Sequence, residues 1–586
     1  MTGRLIVLFA LLVGLASPGE VIPASRQPVV GKKGMVVAVE PLATRIGSEI
    51  LKNGGNAIDA AVATGFALAV THPSAGNIGG GGFMVIRLAD GTTTAVDYRE
   101  KAPRKATSHM FLNSAGERAR NSNITLQRSG GGTRHPFTNR IHHLAIGVPG
   151  TVAGFALALE KYGTMSMADV VQPAIELADS GFVINARIAA GLNSRAAIFK
   201  QIPASKKSLM RSDGELWEEG DRWIQKDLAA TLKRIAQHGH DGFYRGKTAD
   251  LIEKDMLANG GLIDRQDLAN YQAVLREPIR TTYRGYEYVG MPPPSSGGIS
   301  IAMMLNILEG FELEALGHNS SHSMHLLAEA MRRAFADRAQ YLGDSDFVDI
   351  PLNLLASKKH GREHRAAINP YYATRSEEIG PRITQAHESD ETTHFSVVDQ
   401  WGNSVANTYT LEGSYGSHIV ISGTGFLGNN EMGDFNVNPG VTLPNGQIGT
   451  EPNIIEPDKR MLSSMSPSIV TKNGELHLVT GSPGGRTIIN TTLQIILNVI
   501  DHGMTIQEAV DAPRIHHQWY PDVLRVERGV SVDVLRALRN MGHEIDRRSW
   551  NGLRKQGDGH SIMIDPETGY RLGAPDPRIE GAAYGH

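Results

Sequence analysis

The chain of 586 residues contains no cysteine. This absence excludes disulfide bonds and thiolate metal ligands. The fold must therefore be stabilised by buried surface, which a chain of this length supplies comfortably. A lack of disulfides is compatible with any compartment, so it does not identify where the protein works.

The sequence also has little net charge and no long apolar run. A formal net charge of −3 and a pI near 6.8 give no reason to expect nucleic acid or a membrane surface as partner, so a small-molecule substrate fits better. The run at 5–15 follows Arg4 and ends in small residues at Ala16. Because a membrane-spanning helix needs about 20 apolar residues, this shorter run predicts a signal peptide over 1–16, with cleavage there or as late as about 24. We therefore expect a periplasmic or secreted protein without a membrane anchor.

Two adjacent threonines, Thr392 and Thr393, stand at the head of a predicted β-strand in the middle of the chain. If the bond between Glu391 and Thr392 is cut, Thr392 gains a free α-amine beside its own hydroxyl. Such an amine can take the hydroxyl proton and make the oxygen a nucleophile for acyl transfer. The cut would divide the mature chain into residues 17–391 and 392–586.

The residues that follow predict a hairpin whose spacing supports this idea. Strand patterns at 395–399 and 403–411 flank a three-residue turn that ends in glycine. Pairing Asp399 with Asn403 brings Thr392 opposite Thr410, and directly opposed Cβ atoms lie roughly 4.5–5.5 Å apart. The hydroxyl of Thr410 could then orient that of Thr392. Threonine is also common in ordinary strands, so the pair alone leaves a purely structural interpretation open.

Eight further sequence motifs, or strings, occur in order along nearly the whole mature chain, and together they are highly specific. With these strings the sequence resembles the γ-glutamyltranspeptidase family, which belongs to the N-terminal nucleophile hydrolases. They are NIGGGGFM (77–84), DYREKAP (97–103), GVPGTVAG (147–154), PPPSSGG (292–298), NNEMGDF (429–435), LSSMSP (462–467), TGSPGG (480–485) and APRIHHQW (512–519).

The periodicity of the chain predicts a mixture of helices and strands, which by itself indicates only an α+β protein. The resemblance implies a four-layer αββα sandwich of the N-terminal nucleophile hydrolase type, formed jointly by a large and a small subunit that stay together as a heterodimer. Helices are predicted at 42–53, 57–70, 151–161, 167–178, 228–237, 324–341, 488–500 and 534–541, and a strand pair at 83–88 and 93–97.

The resemblance also implies how a γ-glutamyl substrate is held. Its α-carboxylate requires a guanidinium and hydroxyl donors, a role that falls on Arg99, Ser463 and Ser464. Without the resemblance, Arg99 would be read as a salt-bridge partner of Glu100, and the serines as turn residues.

Recognition of the α-ammonium group falls on Glu431, Asp434 and Glu412 by the same resemblance. Many family members have asparagine at the position of Glu412, so this residue departs from the common pattern. A third carboxylate beside one ammonium would strengthen attraction, but like-charge repulsion could raise its own pKa.

Gly484 and Gly485 are predicted to donate backbone N–H groups to the oxyanion that forms during acyl transfer. Glycine permits close approach and unusual backbone angles. The same two residues also have the pattern of a tight turn between a strand and a helix, and the two interpretations are compatible.

The implied chemistry is two acyl transfers on the Thr392 hydroxyl, first during self-cleavage and then from glutathione or another γ-glutamyl compound. Water or an amino acid or peptide acceptor then resolves the γ-glutamyl-enzyme. No metal or organic cofactor is required. The glycines at 79–82 follow a helix and enter a strand, so they do not form a dinucleotide fingerprint. The histidine pairs 142–143 and 516–517 lack the convergent ligands of a metal site.

Two alternatives stay open. An acylase could use the same nucleophile on a glutaryl group, or an uncleaved exported binding protein could retain the fold without catalysis. Two segments are predicted to be loops: residues 118–140, an exposed insertion or disordered loop, and residues 436–458, a tyrosine-free cover over the pocket.

Overall fold

The computed structural model describes residues 26–127, 131–380, 392–440, 450–547 and 556–586. The predicted signal peptide, Glu391 and parts of the two predicted loops lie outside the described residues. Among the helices in these ranges, none is both long and apolar enough to cross a membrane.

The described strands and helices have the following bounds. The strands are β1 (Val29–Gly31), β2 (Met35–Ala38), β3 (Gly81–Arg87), β4 (Thr93–Tyr98), β5 (Leu126–Gln127), β6 (Thr133–Arg134), β7 (Phe182–Val183), β8 (Arg222–Trp223), β9 (Val274–Arg276), β10 (Ile279–Tyr283), β11 (Tyr286–Gly290), β12 (Thr393–Val398), β13 (Ser404–Thr410), β14 (Ser468–Lys472), β15 (Glu475–Thr480), β16 (Ile515–His516), β17 (Leu524–Val526), β18 (Ile545–Asp546), β19 (Ser561–Ile564), β20 (Arg571–Ala574) and β21 (Ala582–Gly585). The α-helices are α1 (Pro41–Lys52), α2 (Ala57–Thr71), α3 (Thr151–Tyr162), α4 (Met167–Ser180), α5 (Ala186–Phe199), α6 (Pro203–Leu209), α7 (Lys226–His238), α8 (Asp241–Tyr244), α9 (Gly246–Ala258), α10 (Arg265–Asn270), α11 (Gly297–Leu308), α12 (Leu313–Leu316), α13 (Ser321–Tyr341), α14 (Leu352–Leu355), α15 (Lys358–Ala366), α16 (Thr487–Ile500), α17 (Ile506–Asp511) and α18 (Val532–Asn540).

Two antiparallel sheets of seven strands form the centre of the molecule. Sheet 1 has the order β21-β2-β12-β13-β3-β4-β9, and sheet 2 has the order β1-β20-β19-β15-β14-β11-β10. An apolar core lies between them, with Phe83 and Val85 from sheet 1 and Ile469 and Ile562 from sheet 2 fully buried.

Helices cover the outer face of each sheet and complete four layers. The core outside sheet 1 is built from α1, α2, α3, α4 and α7, with Phe66 and Phe155 among its fully buried side chains. The core outside sheet 2 is built from α11, α13 and α16. This is the predicted αββα sandwich, and the eight predicted helices correspond to α1, α2, α3, α4, α7, α13, α16 and α18, with bounds that shift by a few residues.

The β12–β13 hairpin has the predicted register. Thr393 is opposite Tyr409 and His394 is opposite Thr408, so one further step places Thr392 opposite Thr410. The turn ends at Gly402, whose φ of 96° lies in the left-handed region that glycine adopts without steric cost.

The prediction for residues 118–140 was wrong in part. The described part of this segment contains the short β5–β6 pair, and the guanidinium groups of Arg118 and Arg120 each lie about 4 Å from the centre of the Phe137 ring. Cation–π contacts and the buried side chain of Asn139 organise the segment. The polar composition of the segment suggested an exposed loop. Contacts between charged and aromatic side chains leave no periodic pattern in the sequence, so these contacts could not be predicted.

Asn77 fixes the end of β13 against its neighbours. Its Nδ2 donates to the Thr410 carbonyl at 2.9 Å, while its Oδ1 accepts from the Gly80 amide at 2.9 Å and the Thr151 hydroxyl at 2.8 Å. The approach of these segments leaves no room for a side chain, since a Cβ at Gly80 would lie 2.1 Å from the Thr410 oxygen. The glycines at the start of β3 thus allow close packing against the end of β13, which fixes the position of the hairpin end.

We expect Asn77→Ala to lower the free energy of unfolding by about 3 kcal/mol or more, because it leaves several buried polar groups without partners at once. Chemical denaturation of the two proteins checks this value. Asn123→Ala changes an exposed asparagine and should stay within about 0.5 kcal/mol of the wild type. Equal stabilities for Asn77→Ala and the wild type would show that the network is not needed.

Candidate active site

The hairpin end opens into a cavity with an empty volume of about 260 Å³, part of which is open to solvent. Every described residue that the sequence predicted for catalysis or substrate binding lines this cavity, apart from Gly484. The lining consists of Arg99, Thr392, Thr410, Glu412, Glu431, Asp434, Ser463, Ser464, Met465, Gly485 and Ile488. Residues that are far apart in the sequence therefore converge on one site.

Thr392 and Thr410 both line the cavity and are largely buried, with 9% and 3% of their surfaces exposed. The Thr410 hydroxyl accepts a hydrogen bond from the Glu412 amide at 2.9 Å. Glu412 itself has a φ of 76°, a conformation that costs a residue with a side chain about 1–3 kcal/mol. The chain thus turns sharply after β13 and directs the Glu412 carboxylate back into the site.

Gly484 and Gly485 form the turn between β15 and α16, as the sequence predicted. Their φ values are 125° and 55°, and a Cβ at Gly484 would lie 2.5 Å from the Thr487 hydroxyl. The backbone amides of Thr487 and Ile488 donate to the carbonyls of Gly484 and Gly485, respectively, each at 3.1 Å. The turn therefore leads directly into the helix. The positive end of the α16 dipole therefore lies at the cavity.

Arg99 is buried, and its guanidinium contacts the acids of the site. Its Nη2 donates to Asp434 at 2.6 Å, and its Nη1 lies 2.7 Å from Glu431 and 3.6 Å from Glu100. The salt bridge to Glu100, which its position next to Arg99 in the sequence suggested, is therefore the longest of the three. Arg99 links the predicted carboxylate-binding and ammonium-binding halves of the site in one network.

The carboxylates outnumber the guanidinium groups in this network. Burial raises the pKa of Glu100 to about 8 and that of Glu412 to about 7, and it raises the pKa of Glu431 well above its usual range. Burial disfavours the charge on Arg99, but attraction from Glu431, Glu100 and Asp434 outweighs it and raises the pKa of Arg99. The site therefore holds either excess negative charge, which an incoming cation would neutralise, or extra protons, which it would displace.

Glu412 has two partners that the sequence analysis missed. One carboxylate oxygen accepts from the Arg140 guanidinium and the other from the Asn430 side-chain amide. Asn430 stands beside Glu431 in a string that was already recognised, so its position was a usable signal. Arg140 lies 272 residues from Glu412 at the end of a polar segment, and nothing in its local sequence pointed to the pocket.

The two serines are held by different parts of the chain. The Ser464 hydroxyl accepts from Arg338 at 3.0 Å, whereas the Ser463 hydroxyl accepts from the Met465 amide at 3.2 Å. Backbone bonds to Pro294 and Ser296 fix the segment further. Sequence reasoning missed Arg338 and Ile488, because neither lies in one of the eight recognised strings. It gave no role to Met465, although this residue stands within the string at 462–467.

The predicted cover over 436–458 has both ends described, while 441–449 lie outside the described residues. The Asn436 amide donates to the Asn453 carbonyl at 2.9 Å, and the Asn453 side chain donates to the Asp434 carbonyl at 2.7 Å. The base of this segment is thus joined to the acid network.

The histidine pairs at 142–143 and 516–517 make ordinary polar contacts. His143 lies 3.0 Å from Asp255, and His517 lies 3.1 Å from Asp522. Each is bound to one carboxylate away from the cavity lining.

Residues 43–586 match the family described as Gamma-glutamyltranspeptidase. The glutathione hydrolase proenzyme of Escherichia coli (strain K12) is 48% identical over 551 residues, which cover 94% of this chain and 91% of that protein. The crystal structure of cephalosporin acylase from Bacillus halodurans superposes with a TM-score of 0.82 at 27% identity, covering 98% and 99% of the two chains. That of Helicobacter pylori gamma-glutamyltranspeptidase has a TM-score of 0.55 at 46% identity, covering 60% of this chain and 95% of the other.

The raised pKa of Glu412 predicts a specific pH dependence of stability. Between its usual value of 4.5 and about 7, the folded protein retains a proton that the unfolded chain has released. The stabilising contribution of this proton is present below pH 4.5 and is lost as the pH rises through about 7. Glu412→Gln removes that loss, so its melting temperature should rise relative to the wild type between pH 5 and pH 8.

Thermal unfolding at several pH values in this window measures the difference between the two proteins. Glu117→Gln, which makes the same change at an exposed glutamate, is the matched control for the substitution itself. A constant offset between Glu412→Gln and the wild type would contradict the predicted burial effect.

Proposed function

Because the chain belongs to the γ-glutamyltranspeptidase family, we propose that it is a self-cleaving γ-glutamyltransferase and glutathione hydrolase with Thr392 as its nucleophile. The observation that carries this proposal is the meeting of Thr392, Thr410 and an acid-rich network in one cavity. A hydroxyl for acyl transfer and a receptor for an α-amino acid head group thus stand side by side.

Maturation begins when the Thr392 Oγ attacks the carbonyl carbon of Glu391. The C–N bond breaks, the Thr392 nitrogen takes up the proton, and an ester joins the two residues. Water then hydrolyses this ester and releases Thr392 with a free amine. The new amine can serve as the base for its own hydroxyl in later turnovers, with the opposed Thr410 as a positioning residue for that oxygen.

In turnover, the same oxygen attacks the γ-carbonyl carbon of glutathione or another γ-glutamyl compound. Negative charge moves to the carbonyl oxygen, and the Gly484–Gly485 turn supplies backbone amides beside the N-terminus of α16. Preorganised donors of this kind commonly provide the largest catalytic contribution. Collapse of the intermediate expels the amine and leaves a γ-glutamyl ester on Thr392.

An amino acid or peptide amine, or water, then attacks the ester carbonyl and regenerates the free hydroxyl. Transfer and hydrolysis therefore share one intermediate and predict ping-pong kinetics. The choice between them depends on which acceptor reaches the ester. The chemistry uses protein groups alone.

The substrate head group is zwitterionic, and the cavity offers complementary charges for both of its ends. Glu431, Asp434 and Glu412 attract the ammonium group, while Arg99 and the hydroxyl groups of Ser463 and Ser464 receive the carboxylate. The two methylenes between head group and γ-carbon can lie against Met465 and Ile488, which line the same cavity. Binding a group with no net charge leaves the balance of the buried network intact.

The main rival is an acylase, because the fold is shared with a cephalosporin acylase. A glutaryl group has no ammonium, so it would add no cation to the guanidinium groups that these carboxylates already contact, although the carboxylates outnumber them. The acid network therefore favours a γ-glutamyl donor.

Export and subunit assembly complete the proposal. The apolar run at 5–15 behind Arg4 supports export, and a cut before Thr392 gives a large subunit of 17–391 and a small subunit of 392–586. The two subunits are each other's partner. The charge balance gives no reason to propose a nucleic-acid partner.

We expect purified wild-type protein to contain a fragment of about 195 residues that begins Thr-Thr-His-Phe, and Thr392→Ala to stay in one piece. Intact mass and N-terminal sequencing of both proteins measure this. Thr393→Ala is the matched control, since it alters the adjacent buried threonine and leaves the proposed nucleophile in place. One uncut wild-type chain would overturn the mechanism and favour a binding protein.

Donor preference separates the proposal from the acylase reading. We expect kcat/KM for γ-glutamyl-p-nitroanilide to exceed that for glutaryl-p-nitroanilide by at least about 100-fold, because only the former offers a cation to the buried acids. Asp434→Asn should narrow this ratio by about tenfold, whereas Glu117→Gln should leave it unchanged. A wild-type preference for the glutaryl compound would identify an acylase.

A further inference from the structure

A cluster of two histidines and one aspartate lies on the outer helices, apart from the cavity. Asp337 is on α13, and His360 and His364 are four residues apart on α15, which places both rings on one face of that helix. Among the described residues, this is the single group of three or more histidines and acids whose ligand atoms all lie within 4.8 Å of one another.

The three ligand atoms form a small triangle. Asp337 Oδ2 lies 2.7 Å from His360 Nε2 and 2.8 Å from His364 Nε2, and the two ring nitrogens are 3.0 Å apart. The side chains are only 12–20% exposed. Both imidazoles therefore aim the same nitrogen at one carboxylate oxygen from a largely enclosed position.

Hydrogen bonds can occupy at most two of the three edges of this triangle. Each Nε2 carries at most one hydrogen, and each hydrogen can point along one edge only. If both histidines donate to Asp337, two N–H groups stand 3.0 Å apart with no hydrogen bond between them. If one histidine accepts from the other, it no longer donates to Asp337.

We propose that Asp337, His360 and His364 bind a divalent transition-metal ion of the zinc type. Imidazole nitrogen and carboxylate oxygen are ordinary zinc ligands, at about 2.0–2.2 Å from the ion. In a tetrahedron of that size the ligand atoms lie about 3.3 Å apart, so the triangle needs to open by roughly half an ångström. The fourth position is then available to water.

The ion would join two helices of the outer layer beneath the cavity wall. Helix α15 packs on α11, where a Cβ at Gly361 would lie 2.7 Å from the Asn306 side chain. On α13, the residue after Asp337 is Arg338, which donates to Ser464 and Ser296. A metal here would act as a structural clasp between α13 and α15, outside the proposed acyl-transfer chemistry.

The test uses tag-free, full-chain protein that has been stripped with a chelator. Zn²⁺ is titrated in competition with a chromophoric chelator, and we expect one tightly bound equivalent. His360→Ala and His364→Ala should each weaken this binding by more than about 100-fold, because loss of a direct ligand exceeds the 10–100-fold effect of losing an outer hydrogen bond. His143→Ala removes a histidine–aspartate pair of comparable burial that has no third ligand, and it should bind like the wild type.

Two further measurements test coordination directly. Co²⁺ should give visible absorption bands of a four-coordinate ion in the wild type, and Zn²⁺ should raise the melting temperature of the wild type but not of the histidine variants. Asp337→Asn keeps the shape of the aspartate and replaces the alanine variants if these fail to fold. Absence of a stoichiometric site, or equal binding by the wild type and the ligand variants, would overturn the proposal.

Discussion

The pairing of β12 with β13 is the constraint on which the rest of the site depends. Both strands are buried along their whole length and each has a second neighbour in sheet 1. A shift of one residue would exchange the two faces of a strand and move Phe395 and Val397 out of the core outside sheet 1. Because that exchange is so unfavourable, Thr392 and Thr410 are held opposite each other by apolar packing well away from them.

A second constraint comes from charge. Four carboxylates and two guanidinium groups form the network at the pocket, and three of these carboxylates and Arg99 line it, so their arrangement must balance desolvation against attraction. Arg99 lies between acids from separate segments, and Arg140 supports Glu412 from outside. This network keeps the pocket receptive to a cation while limiting the repulsion among its acids. An asparagine at position 412 would avoid one buried charge. In this protein the guanidinium group of Arg140 contacts the Glu412 carboxylate and offsets part of the cost of burying it.

The sequence could predict features that are set by residues close together along the chain. The hairpin register followed from a turn ending in Gly402, and the turn between β15 and α16 followed from the Gly484–Gly485 pair. Contacts made across the fold were beyond reach: Arg140 meets Glu412 across 272 residues, and Asp337 meets the α15 histidines through helix packing. The organised part of 118–140 was missed for the same reason, since stacking on Phe137 is a three-dimensional arrangement.

The order of strands explains how one cut can leave a single folded body. Sheet 1 alternates segments from both sides of position 392, with β21, β12 and β13 from the later part and β2, β3, β4 and β9 from the earlier part. Sheet 2 is interleaved in the same way, because β1, β10 and β11 precede the cut. The proposed cut before Thr392 lies just outside β12, which begins at Thr393. Separating the two proposed subunits would disrupt both sheets and the core between them. The proposed cut can therefore expose the amine of Thr392 while the surrounding structure stays folded.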